Sequence, residues 1–134
     1  LWTLYAGYAW LPVSMLLQTL RDGAIVIGGE WTLGRAPIHA LGIGYFGSLL
    51  VAMVTRVTMG HSGRPLAMDC VAFGCFLAVQ AAAVARVLSE VATAPAAIQW
   101  LLLGSAAAWL AAYAIWGGRN AAIYLAPRVD GRPG

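Results

Sequence analysis

Two imidazoles and two guanidinium groups are the side chains of this sequence whose types and spacing could do chemistry. His39 stands just inside the start of a long apolar stretch. His61 lies at its other end, in the short polar run Gly60-His61-Ser62-Gly63-Arg64-Pro65, with Arg56 five residues before it and Arg64 three after. Neutral imidazole is a good ligand for haem iron and for copper, and Met53 or Met59 could assist copper(I) with a softer donor. Backbone amides, two arginines and an imidazole in one turn suit an anion such as a carboxylate or a haem propionate. The bland alternatives stay open. His39 could be an interfacial histidine bonded to a loop carbonyl, and the Gly60–Pro65 run could be a capping loop whose arginines only set topology.

The elements that position these groups follow from hydropathy. Of 134 residues, 61% are hydrophobic and only 10% charged, with mean hydropathy +0.78. Soluble domains carry about 25% charged residues, so the composition argues for an integral membrane protein. Four charge-free runs, residues 1–20, 36–55, 70–85 and 91–118, predict an all-α, polytopic transmembrane bundle of four membrane-spanning helices. Residues 1–118 form that domain, and residues 119–134 form a polar C-terminal tail. His39 and His61 are 22 residues apart, roughly 33 Å along a helix at 1.5 Å per residue. No single metal ion can take both.

The net charge of +3 comes from arginine alone. So few charges, placed at helix ends, read as topology and not as a nucleic-acid surface. Putting the tail and the His61 loop on one side collects Arg56, Arg64, Arg119, Arg128 and Arg132 there, against Arg21, Arg35 and Arg86 opposite. The positive-inside rule therefore expects the C-terminus and His61 in the cytoplasm and His39 near the outer face. The chain starts at Leu1, inside an apolar run and without an initiator Met, which is expected of a piece of something longer.

Within the chain, Pro12 predicts a kink in the first helix by removing the bond to the Tyr8 carbonyl. Tyr5, Tyr8 and Trp10 suit an interfacial aromatic belt. Gly42, Gly44 and Gly47 spell GxGxxG inside an apolar helix, where close helix approach is the better reading than a dinucleotide loop. Ala40, Gly44, Ser48, Ala52 and Thr55 form a small-residue stripe expected to pack on other helices. Asp69 is placed in the first turn of the third helix, predicted over residues 66–88, where it could pair with Arg64. Gln80 is expected to make an interhelical hydrogen bond, and Arg86 and Glu90 to pair at i and i+4. In the last helix, Gly104, Ala108 and Ala112 are the expected packing stripe, with Tyr113 and Trp116 suited to the interface and the end near residue 117. Cys70 and Cys75, about 140° apart around one helix, cannot bridge each other and read as free thiols.

The string Thr55-Arg56-Val57, then Gly60-His61-Ser62-Gly63-Arg64-Pro65-Leu66, together with His39-Ala40-Leu41, Gly7-Tyr8-Ala9-Trp10 and the tail Pro127-Arg128 with Asp130-Gly131, resembles the NnrS family. The resemblance covers nearly the whole chain. It implies a bacterial inner-membrane protein that contains haem and copper and is associated with nitric oxide and denitrification, of which this chain would be the C-terminal third of roughly twelve helices. Carried to these residues, it makes His39 and His61 the metal-ligand candidates and Arg56 and Arg64 the propionate or anion partners, without saying which histidine takes which metal. Of a different class is a non-catalytic accessory subunit packing on partner helices in the bilayer.

Overall fold

A computed structural model of the chain describes residues 1–29 and 33–131. Glu30 lies outside the described residues, as does Arg132, counted above in the tail. Those residues form helices joined by short loops and contain no strand. The chain opens with α1 (Trp2–Tyr8) and α2 (Trp10–Val26). Next, α3 (Ala36–His39) runs through a π-helical segment, Ala40–Gly47, into α4 (Ser48–His61). Last come α5 (Cys70–Ser89) and α6 (Pro95–Tyr124).

Among the described residues, three helices are long and apolar enough to cross a bilayer: Ala36–His61 with 26 residues, Cys70–Ser89 with 20 and Pro95–Tyr124 with 30. The fourth expected span is helical but divided at Ala9. Pro12 accounts for the division, because its ring removes the N–H that would bond the Tyr8 carbonyl and crowds that turn. Four helices are therefore present, and three of them are unbroken spans.

The small-residue stripe packs as its spacing requires, for Ala40, Gly44, Ser48, Ala52 and Thr55 are all buried. A Cβ on Gly44 would collide with the Trp10 indole, and one on Gly47 would lie 2.9 Å from Trp109. These two glycines admit one indole from α2 and one from α6. Gly42 meets nothing and faces open space. The core beneath them is Val51, Cys75, Phe76, Val79, Ala112 and Trp116.

Polar groups join these helices directly. Trp10 Nε1 donates to Gln80 Oε1 at 2.7 Å, and Gln80 Nε2 donates to Ser48 Oγ, so Gln80 ties α2, α4 and α5 together as an interhelical bond was expected to do. Trp116 Nε1 donates to Thr55 Oγ1 at 2.8 Å, and Tyr113 OH donates to the Gly47 carbonyl at 2.9 Å. Trp10, Tyr113 and Trp116 therefore hold helices together and do not sit in an aromatic belt, whereas Tyr5 and Tyr8 are exposed. The packed face of α6 is Ser105, Ala112 and Trp116; of the expected Gly104, Ala108 and Ala112 stripe, Ala112 is buried, Ala108 is half-buried and Gly104 is exposed. The helix also continues past Gly117 and Gly118 to Tyr124. Asp69 precedes α5 as its N-cap, accepting from Ala72 N at 2.9 Å, and it pairs with Arg119 of α6 instead of Arg64.

Gly44→Val should destabilise by about 1–3 kcal/mol, the usual cost of forcing bulk into a packed interface. Gly74→Ala should be neutral or slightly stabilising, because a Cβ there meets nothing and alanine favours a helix. Thermal melts of both variants in the same detergent check the pair.

Candidate functional site

The two histidines stand at opposite ends of one span, Ala36–His61, and their surroundings differ. His39 closes α3 at the start of that span. Its Nε2 lies 3.2 Å from Glu90 Oε1, at ion-pair distance but without the alignment of a hydrogen bond. Glu90 follows the end of α5. Its other oxygen, Oε2, accepts from the Arg35 backbone N at 2.9 Å. Gly34, at φ +48°, brings the backbone so close to Oε2 that a Cβ would strike it. One carboxylate thus ties the loop before α3, the imidazole and the end of α5 together.

The expected Arg86–Glu90 pair is absent because Glu90 turns to His39 and Arg35 instead. A carboxylate that can reach a half-buried imidazole and a free backbone donor gains more there than from a single i, i+4 arginine. Arg86 remains near enough to His39 for their charges to interact. Among the described residues, its guanidinium makes no hydrogen bond or ion pair.

At the other end, His61 is exposed in the last turn of α4. It lines an open groove of about 380 Å³ with Met53, Arg56, Val57, Gly60, Leu66 and Arg128. The walls are apolar and the rim is cationic. Arg56 is exposed and makes no hydrogen bond or ion pair among the described residues, while Arg128 is held by Asp130 through bonds of 2.9 and 2.6 Å. That carboxylate keeps the Arg128 guanidinium above its ordinary range.

The sequence paired Arg56 with Arg64 around His61, and the structure brings Arg56 and Arg128 to the groove instead. Arg64 does not line it, and its Nη1 is buried without a hydrogen-bond partner among the described residues. Arg128 arrives because the tail folds back. Val129 N donates to the Ser62 carbonyl at 3.1 Å, and the Asp130 carboxylate lies against Gly63, whose φ of +72° and missing Cβ leave the room. The Gly63 and Asp130-Gly131 turns were visible in the sequence. Nothing there showed that they would meet.

Among the described residues no three His, Cys, Asp or Glu side chains converge as a metal cluster. Cys70 is exposed and Cys75 buried, and neither is bridged. Glu90→Ala should lower stability by about 1–3 kcal/mol, since it strands a buried imidazole nitrogen and a backbone donor. Glu90→Gln should cost less, because an amide oxygen still accepts from Arg35 N. Unfolding midpoints of the two variants in detergent decide this, and equal losses would show that Glu90 acts by charge alone.

A family model described as NnrS protein matches residues 1–128 of the 134-residue chain. No curated protein and no solved structure matches it.

Proposed function

The chain belongs to the NnrS family, and from that premise we propose that it is an integral-membrane protein of the bacterial inner membrane that binds haem and copper in nitric oxide metabolism or tolerance. The observation that carries this reading is the His61 groove. It combines an accessible imidazole with apolar walls from Met53, Val57 and Leu66, and with an unpaired Arg56 at the rim. Those are the features a haem needs: a nitrogen ligand, an apolar face for the macrocycle and a cation for its propionates. His61 would hold the iron, Arg56 and Arg128 would hold the carboxylates, and Met53 would press on the ring. Arg64 would support the turn beneath them.

We assign copper to the opposite end. His39 Nε2 and the Glu90 carboxylate are a nitrogen and oxygen donor pair 3.2 Å apart. Two donors leave further coordination positions to groups outside the described residues. Haem and copper, when bound, would supply electron transfer and nitric oxide binding. The chain's own residues fix the imidazoles, balance charge and keep the two centres on opposite sides of the membrane.

The test separates the two assignments. His61→Ala should abolish the Soret band of purified protein and leave its copper content intact, and His39→Ala should do the reverse. A protein without a Soret band when purified with its partners would overturn the haem reading in favour of an accessory subunit.

Orientation has its own test. The positive-inside rule places the His61 end in the cytoplasm, and Cys70 is the exposed thiol of that end. A membrane-impermeant maleimide should label Cys70 in inverted vesicles and not in intact spheroplasts, while Cys75 stays unlabelled until the protein unfolds. Labelling from the outside would reverse the topology.

A further inference from the structure

Glu90's commitment to His39 leaves Arg86 in an unusual place for a cation. It lines a groove of about 290 Å³ with Ile43, Leu102, Ser105, Ala106 and Trp109, near the end of a span. Ser105 Oγ already donates to the Ala82 carbonyl at 2.8 Å. Arg86 is thus the charged group in this groove, and its guanidinium donors are unused among the described residues. An arginine with apolar neighbours at the membrane boundary is costly without an anion or water against it.

Trp109 also lines a second, larger groove of about 490 Å³, whose other walls include Gly42, Phe46, Gly47, Leu50, Met53 and Tyr113. That surface is almost wholly apolar. It exists because Gly42 carries no side chain over it and because α6 leans on α5, with little of α6 touching α4. From Ile43 to Met53 is ten residues, about 15 Å at helical rise. That is half the ~30 Å hydrocarbon thickness, the depth of one leaflet.

From these features we propose that the cleft between the Ala36–His61 span and α6 seats one anionic phospholipid, with its phosphate on Arg86 and an acyl chain along Phe46, Leu50 and Met53. Charge selects the headgroup, since a zwitterionic lipid brings a second cation towards Arg86 and Arg35, two guanidinium groups set against the single Glu90 carboxylate near them among the described residues. Trp109 lines both grooves, and an indole suits the level of the glycerol region in a membrane. The headgroup end of the seat, at Arg86, is at the opposite end of the central span from His61, Met53 lines both the acyl groove and the His61 groove, and the seat does not rest on haem or copper being bound.

The experiment is native mass spectrometry of the full chain in a neutral detergent, titrated with phosphatidylglycerol or phosphatidylcholine. Wild-type protein should retain one phosphatidylglycerol with about fivefold preference, which corresponds to ~1 kcal/mol for one basic side chain near an anionic headgroup. Arg86→Gln should abolish that preference and Arg86→Lys should restore it. Ala106→Trp, which fills the groove and keeps the arginine, should also abolish retention. Equal retention of both lipids, or a preference that survives Arg86→Gln, overturns the proposal. So does displacement by inorganic phosphate alone, which would mark a simple anion site. A cleft inaccessible to either lipid would assign it to another helix.

Discussion

Gln80 is the group on which the rest of the structure depends. Its amide accepts from Trp10 and donates to Ser48, so one side chain at the middle of α5 holds the first helical segment and the central span at once. In water such bonds contribute little net, because solvent offers the same partners. Between helices in a bilayer, the alternative is an amide against hydrocarbon, so the partners must be found within the protein. The same logic sets Trp116 on Thr55, Ser105 on Ala82 and Tyr113 on Gly47. Small residues let the helices approach, and these bonds fix which rotation of each helix is used.

That rotation is what separates the two histidines chemically. With Ala40, Gly44 and Ser48 turned inward, His39 is brought against the end of α5, where Glu90 waits. The His61 end is less enclosed. The span finishes there in a two-glycine loop, α5 starts only at Cys70, and the imidazole is left at the edge of a groove. A single continuous helix therefore carries one imidazole engaged by a carboxylate and one that is available.

Much of this was legible because the signals are local. The spans follow from runs of apolar residues, the break near Ala9 from Pro12, and the buried face of the central span from small residues at helical spacing. What was not legible depended on choice among partners. Asp69 had Arg64 close in sequence and took Arg119, because capping α5 turns its carboxylate towards α6. Glu90 had Arg86 four residues away and took His39. Trp10, Tyr113 and Trp116 looked like belt aromatics, since an indole or phenol suits an interface as well as a buried polar contact. The π-helical segment left no signature either, for three glycines are as compatible with α as with π geometry.

The mispaired charges share a cause with consequences beyond assignment. Sequence proximity suggests that each acid neutralises the nearest arginine, which would leave the helix ends bland. In the structure Asp69 and Glu90 instead bind across helices, so they serve the packing, and arginines near them in sequence are released. Arg56 and Arg86 stand at opposite ends of the bundle, each without an ion-pair partner among the described residues, and each opens onto an apolar groove. Using Glu90 as an interhelical tie leaves Arg86 over one apolar groove, while Arg56, with no acid near it in sequence, stands over the other, so that in each place a cation and an apolar surface meet. That combination recognises amphiphilic anions, whether the carboxylates of a flat ring or the phosphate of a lipid. At the Arg86 end, the packing of the bundle and its capacity to bind are two results of one carboxylate, Glu90.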